Sequence, residues 1–382
     1  MQNRLKKVLF LSLFIILPFL FNPFTGDIEL IKVVFLCVAT CILLIYAVLF
    51  IKKDVKYSKK GKILLYSMLG FTVFASISLF LNDFTISLYG MQGRYMGYIV
   101  WFCCVLLAFV VPYYIKNTES LKSLIKTLIW VGFASSIVAI LIVFLYSGAV
   151  FEGRLSGLTG NPNVLGKLLL FTIVLNFVFL AYPKGKTKFL YIFTLISQLI
   201  VFGMTGNRGS WLALGIILLI LLLRNPKKYI KYASIALIGA IPFILLIFNR
   251  IIDTVSIATR LEIYQKALSK LFERPFFGYG FDFNPEMLIP NEAYTNSVDR
   301  AHQLFLDVAL NVGIPGLIFF TIFGVMSIYV LIKDKNQYYK AFGYALLALI
   351  ISLQFSFFTS ISLLLFFLCI GIGLQRVLQR KF

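Results

Sequence analysis

The chain has 382 residues, 60% hydrophobic and 13% charged, with a mean hydropathy of +0.93. A soluble domain carries roughly half apolar and a quarter charged residues, so this much apolar surface cannot be hidden in one water-facing core. That excludes a cytosolic enzyme, a nucleic-acid-binding domain and a secreted disulfide scaffold. The formal charge of +21 has to be tested against membrane topology before a polyanionic partner is invoked.

A membrane-crossing helix needs ~20 mostly apolar residues. Twelve runs approach this, at roughly 8–21, 30–51, 63–82, 95–115, 124–147, 164–182, 188–204, 210–223, 229–250, 312–332, 340–358 and 360–375. The expected fold is an all-α integral membrane protein of about twelve transmembrane helices, organised as a single polytopic domain over 1–382. Met1 to Lys7 followed by an apolar run reads as an uncleaved signal anchor, because Phe21-Asn22-Pro23-Phe24 offers no small-residue cleavage site. Cys37, Cys41, Cys103, Cys104 and Cys369 all fall within these runs and read as packing residues, so neither a disulfide nor a metal site is expected.

The basic residues set the orientation. Loops on the side holding the N-terminus collect 25 of the 36 Lys and Arg, and the other side holds 9. By the positive-inside rule both termini are cytoplasmic, in a multi-pass protein of the cytoplasmic membrane. Lys32 and Lys167 lie inside spans, within a turn or two of an outer helix end, and are expected to snorkel.

A connection at 250–303, before the tenth span, is the long exception among the loops and lies on the outer face. Connections of that length are usually functional or disordered, and its mixture of charge with aromatics is not a disordered composition. Ile257, Leu261, Tyr264, Leu268 and Leu271 recur at helical spacing, predicting an amphipathic helix from Thr254 to Phe272 that ends at Arg274-Pro275. Gly278-Tyr279-Gly280 then forms a turn where backbone can approach a ligand closely. The segment is read as a cap or an active-site lid.

Polar residues crowd the outer edge of the spans. Arg154 lies in a stretch running through Gly157 to Asn161-Pro162-Asn163, and Arg208 in Thr205-Gly206-Asn207-Arg208-Gly209. Arg260 sits on the amphipathic helix. His302, the single histidine, lies in Ala301-His302-Gln303 with Asp307 and Gly313-Ile314-Pro315-Gly316 beyond. Arginines among exposed backbone N–H groups and amides suit an anion with several oxygens.

Taken in order, these motifs and the Arg274-Pro275…Gly278-Tyr279-Gly280 piece resemble the O-antigen ligase and Wzy-type polysaccharide polymerase superfamily over residues 154–316. One departure is Gln303, where that family usually has Asn or Ser after the histidine. The resemblance implies transfer of a glycan from a polyprenyl (undecaprenyl) diphosphate to a hydroxyl of a glycan or lipid-linked acceptor. The reaction takes place at the extracytoplasmic face of the bilayer, in company with other polysaccharide-assembly proteins and without nucleic acid. A diphosphate is a good leaving group, so no metal or cofactor is required; charge stabilisation and a base are. Guanidinium groups bind phosphate oxygens bidentately, which assigns Arg208 and Arg260, with Arg154 as a third contact. Imidazole can take a proton near neutral pH, which assigns His302 as general base in an inverting transfer. Asn161, Asn163, Asn207, Gly278, Gly280, Gln303 and Asp307 support the site, while Asp282, Asp299 and Asp307 are rival bases. The alternative is a lipid-linked oligosaccharide flippase or other secondary transporter, disfavoured because the span centres are almost free of charge.

Overall fold

A computed structural model describes residues 2–21, 27–50, 56–145, 150–151, 153–180, 186–248, 254–283, 288 and 300–379. The helices in chain order are α1 (Gln2–Ile16), α2 (Ile28–Phe50), α3 (Lys59–Leu81), α4 (Phe84–Tyr89), α5 (Tyr98–Tyr114), α6 (Thr118–Ile142) and α7 (Pro162–Leu180). They continue with α8 (Lys186–Met204), α9 (Arg208–Arg224), α10 (Pro226–Phe248), α11 (Thr254–Glu273), α12 (Leu304–Ile332), α13 (Gln337–Leu353) and α14 (Ser360–Val377). Each of the twelve apolar runs holds a helix over most of its described residues, with α4 and α11 in addition. Among the described residues, six helices are long and apolar enough to cross a membrane: 28–49, 59–81, 118–142, 162–180, 304–332 and 360–377. Most of 284–299, in the predicted lid, and the cleavage-site motif at 21–24 beyond Phe21 lie outside the described residues.

Polar contacts sort the helix ends into two groups. At the proximal end, which holds the start of α1, Lys56–Tyr57 (β1) pairs antiparallel with Leu378–Gln379 (β4). There, too, Arg376 pairs with Asp334 and Asn336 reaches Thr118. The distal end gathers Glu29 with Ser360, Arg94 with Asp282, and Arg300 with Phe358. It also holds a hairpin of Val150–Phe151 (β2) on Arg154–Leu155 (β3). All the outer-loop motifs of the sequence fall at this end.

Two helices are apolar around their whole circumference and are therefore enclosed by the others. Every described residue of α7 except Asn163 is buried, and α14 is buried along nearly its full length. Helix α13 packs on α7, α5 on α14, and α12 on α3. Gly371 of α14 meets Ala108 and Val111 of α5 where a side chain would not fit, the close approach that small residues permit between helices in lipid. Both enclosed helices begin at the distal end, so their positive dipole ends lie there.

Helix α12 is two helices joined end to end. Gly313 has φ 76° and ψ 175°, which breaks the hydrogen-bond ladder. The segment 275–280 fills the break: Tyr279 and Gly280 N–H donate to the carbonyls of Leu310 (2.6 Å) and Asn311 (3.2 Å), and Ile314 N–H to Pro275 O (2.7 Å). Hydropathy alone starts the tenth span at 312, next to this break. The preceding turns, with Asp307 and Asn311, are helical but too polar to register.

Candidate functional site

His302 sits immediately before the cap of α12 with φ +54°. A residue with a Cβ in that left-handed region costs ~1–2 kcal/mol, so its neighbours have to hold it. Two of them do. Gln303 caps α12 by accepting from Leu306 N–H (2.6 Å) and donates its Nε2 to Gln354 Oε1 (2.8 Å). Asp307 Oδ1 accepts from Ala301 N–H (2.9 Å). The backbone is thus pinned on both sides of the histidine. The glutamine that departs from the family pattern braces the end of α13 with its longer amide.

The imidazole packs on Phe357, ring centroids 5.3 Å apart at 65°. The same ring carries the Arg300 guanidinium at 4.7 Å and the Lys167 ammonium at 5.0 Å. Lys167 also donates to Ser356 Oγ (3.2 Å) and to Phe357 O. The expectation that Lys32 and Lys167 snorkel is corrected here: they are 0% and 1% exposed. Lys32 donates to the carbonyls of Leu158 (3.2 Å) and Thr159 (3.4 Å). Irregular backbone at this depth needs donors for its carbonyls, and the two lysines supply them. Glu29, which accepts from Ser360 Oγ at 2.8 Å, is the opposing charge within reach of both.

The first two motifs meet directly. Arg154 donates through Nε to Thr205 O and through Nη2 to Asn163 Oδ1, both at 2.8 Å. Asn207 caps α9 by accepting from Ser210 N–H (3.1 Å) and reaches Asn163 O (3.3 Å). Asn161 turns its side chain onto Asn163 N–H (2.8 Å), ahead of Pro162 in the first turn of α7. Arg208, next to the Asn207 cap, is exposed on the first turn of α9. Ser210 Oγ lies 2.7 Å from Ser352 Oγ, two residues before Gln354. The Arg208 motif and the His302 motif are therefore joined through the end of α13.

Arg260 is exposed on α11, the helix predicted over almost the same residues. Burial pushes the Tyr264 phenol up in pKa, while the Arg260 charge lowers it and the Asp307 charge raises it. The buried stripe differs from the expected one. Ile263, Ala267 and Leu271 face inward, while Leu261 and Leu268 are exposed. Ala267 is small enough to bring α11 close against α12, whereas the larger leucines fit the outer face.

Three residues carry an ion cluster that sequence reasoning missed or misjudged. Asp282, 2% exposed at its side chain, pairs with Arg94 (3.3 Å) and Arg300 (3.5 Å) and accepts from Met91 N–H (2.8 Å) and Met96 N–H (3.4 Å). Two guanidinium groups thus share one carboxylate, and one of them, Arg300, is two residues from His302. Asp282 and Asp307 are thus occupied holding backbone, and Asp299 lies outside the described residues. Nothing in the spacing of Arg94, Asp282 and Arg300 marks them as partners; the fold brings them together across 206 positions. Gly278 and Gly280 do make a close backbone approach, but toward the protein. A Cβ on Gly278 would lie 2.3 Å from Leu310 O, and one on Gly280 2.1 Å from Ser87 Oγ.

Residues 192–321 match the model of the O-antigen ligase family (Wzy_C). That span runs from α8 into α12 and contains Arg208, Arg260, Arg300 and His302. Over that stretch, about a third of the chain, the protein is similar to the O-antigen ligase family. It is also similar to the ComP-specific O-oligosaccharyltransferase of Acinetobacter baylyi, at 27% identity over 223 residues. The match covers 52% of this chain and 40% of that protein, so it spans about two fifths of the relative's length. Arg154, Asn161 and Asn163 precede the Wzy_C segment, yet Arg154 and Asn163 are hydrogen-bonded into it at Thr205 and Asn207.

Proposed function

We propose that this O-antigen-ligase-type chain transfers a glycan from a polyprenyl diphosphate, undecaprenyl diphosphate in bacteria, to an acceptor hydroxyl, and that the distal end of the bundle is its extracytoplasmic active face. The observation carrying this reading is His302, held with positive φ between Gln303 and Asp307, at the end whose helices and loops also carry Arg208, Arg260 and Arg300. Backbone strain persists where the surroundings over-determine it, and such places cluster at functional sites.

Charge is the first requirement of the reaction. As the glycosyl bond breaks, negative charge grows on the departing diphosphate. Fixed donors aimed at such charge contribute ~3–4 kcal/mol each. Arg208 and Arg260 are exposed and take that role, reinforced by the dipole ends of α7, α9, α12 and α14, all of which begin at this end. Arg154 commits two donors to Thr205 and Asn163, so its part is to fix the wall bearing Asn207 and Arg208.

Proton removal is the second requirement. His302 takes the acceptor hydroxyl's proton as the oxygen attacks the anomeric carbon, the carbon–diphosphate bond breaks, and direct displacement inverts that centre. The relative's name specifies oligosaccharyl transfer to oxygen, the same bond type. Surface polysaccharide assembly in the cytoplasmic membrane, with both termini cytoplasmic, is the setting this chemistry fits.

The test is purified full-length protein with a synthetic polyprenyl-diphosphate glycan and a glycan acceptor, without nucleotide or added metal, scored for the lengthened product and its anomeric configuration. Wild-type transfer with inversion, lost in His302→Ala while donor binding persists, is expected. Transfer by His302→Ala at the wild-type rate removes the base assignment, and retention of configuration removes direct displacement.

A further inference from the structure

Lys167 is a cation shut inside the enclosed helix α7, and the carbonyl it serves does not by itself call for a charge. Elsewhere in this core neutral amides do the same work: Asn176 Nδ2, also on α7, donates to Tyr191 O at 3.2 Å, and Gln198 Nε2 to Ile129 O at 3.1 Å. Burying an ammonium costs far more than burying an amide. An ionisable side chain kept inside a span marks function, and its partner identifies which.

The partners lie in 354–359, the non-helical connection between α13 and α14. Two consecutive carbonyls there are held by cations: Phe357 O accepts from Lys167, and Phe358 O from Arg300 Nη1 at 3.1 Å. Lys167 also donates to Ser356 Oγ (3.2 Å) and lies 5.0 Å from the centroid of the Phe357 ring. One ammonium therefore fixes both the backbone and the ring of the same residue, and only a cation gains from the ring's π face. That ring is the one His302 packs on, at 5.3 Å and 65°. Two further ties from the connection, Gln354 to Gln303 (2.8 Å) and Phe358 to Arg300, run to the histidine's own segment. Lys167 comes from another element, so it sets where this assembly stands against the interior of the bundle.

We infer that Lys167 is a positioning residue for His302, holding Phe357 by backbone and ring so that Phe357 holds the imidazole. The catalytic consequence rests on the proposed role of His302 as base; the placement itself does not. Because His302 is the single histidine, full-length protein labelled with 13C,15N-histidine in detergent gives one imidazole NMR signal, displaced by the ring current of Phe357. Phe357→Ala should move that signal, and Lys167→Met should move it in the same direction. Lys32→Met, which takes an equally buried lysine from the carbonyls of Leu158 and Thr159, should leave it in place. In the transfer assay Lys167→Met should lower kcat by roughly tenfold with donor KM unchanged. The double variant Lys167→Met/Phe357→Ala should be no slower than the slower single one, because both act through one ring. An unmoved signal in Lys167→Met, an equal movement in Lys32→Met, or additive losses in the double variant would each overturn the role. Should Lys167→Met not fold, Lys167→Gln, a neutral donor without the cation, carries the same expectations. A wild-type protein that transfers no glycan would overturn the proposed function instead, and the imidazole signal would still decide what Lys167 does.

Discussion

The imidazole of His302 rests edge-to-face on the ring of Phe357, 5.3 Å between centroids, and Phe357 in turn carries Arg300 and Lys167. One uncharged ring thus lies against the imidazole and against both cations. Aromatic pairs contribute about 0.5–1.5 kcal/mol beyond burial, and each cation over the ring about 0.5–2 kcal/mol. Phe357→Ala should therefore lower the transfer rate by roughly tenfold or more while the protein still binds donor. Phe357→Tyr, which keeps the ring, should retain most of the rate. Parallel kinetics of the two variants check this, and equal activity in Phe357→Ala would remove the ring from the site.

The positive φ of His302 separates chemistry from strain. His302→Ala and His302→Gly both lose the imidazole, so both should be inactive. Glycine occupies that conformation freely, so His302→Gly should be the more stable of the two by about 1 kcal/mol. Thermal unfolding in detergent, read beside the transfer assay, checks both halves.

Arg208 and Arg154 should respond differently to lysine. Arg208→Lys keeps a charge but loses the planar fork, and transfer should fall by about tenfold or more with the fold intact. Arg154→Lys cannot hold Thr205 O and Asn163 Oδ1 together in the same geometry. It should lower thermal stability by about 1–3 kcal/mol as well as activity. A stable but inactive Arg154→Lys would instead mark Arg154 as a direct diphosphate contact.

The elbow at 275–280 carries a pH signature. Hydrogen bonding from Lys270 holds the Glu273 carboxyl below the ordinary carboxylate range, and Tyr279 O–H adds to it. A depressed carboxyl pKa contributes stability that is present above its unfolded value and is lost as pH falls through the folded one. The protection factors of the Tyr279 and Gly280 amides, measured exchange divided into the intrinsic rate at each pH, should therefore fall, modestly because Glu273 is exposed, as pH drops below about 4. In Glu273→Gln that added acid sensitivity should disappear.

Much of the architecture is legible because lipid leaves the chain few options. Each apolar run became a helix, and the amphipathic spacing of 254–272 located α11 almost to the residue. The adhesion of motif to motif, Arg154 to Thr205 and Pro275–Gly280 to the broken α12, is what ordered, glycine-rich pieces suggest without proving. What stayed hidden depends on distant partners. Lys167 and Lys32 look like interfacial cations until the carbonyls of 158, 159 and 357 and the Ser356 hydroxyl appear beside them. Phe357 is one phenylalanine among 40, with nothing local to distinguish it. The inward stripe of α11 is legible only in part: Leu271 faces in as expected, but Ala267 takes an inward place while Leu261 and Leu268 face out, because a small residue lets α11 pack closely and hydropathy ranks it below leucine.

The stitched junction around Gly313 constrains how relatives of this protein can exchange parts. Residues 275–280 and 310–314 share their backbone pairing, so a chimera that imports either stretch alone has to reproduce the backbone path with which the other pairs. Transplanting donor preference from a homologue would have to move the whole block from Arg274 to Ile314 as one cassette, its lower seam lying just past the glycine and its upper seam at the end of α11.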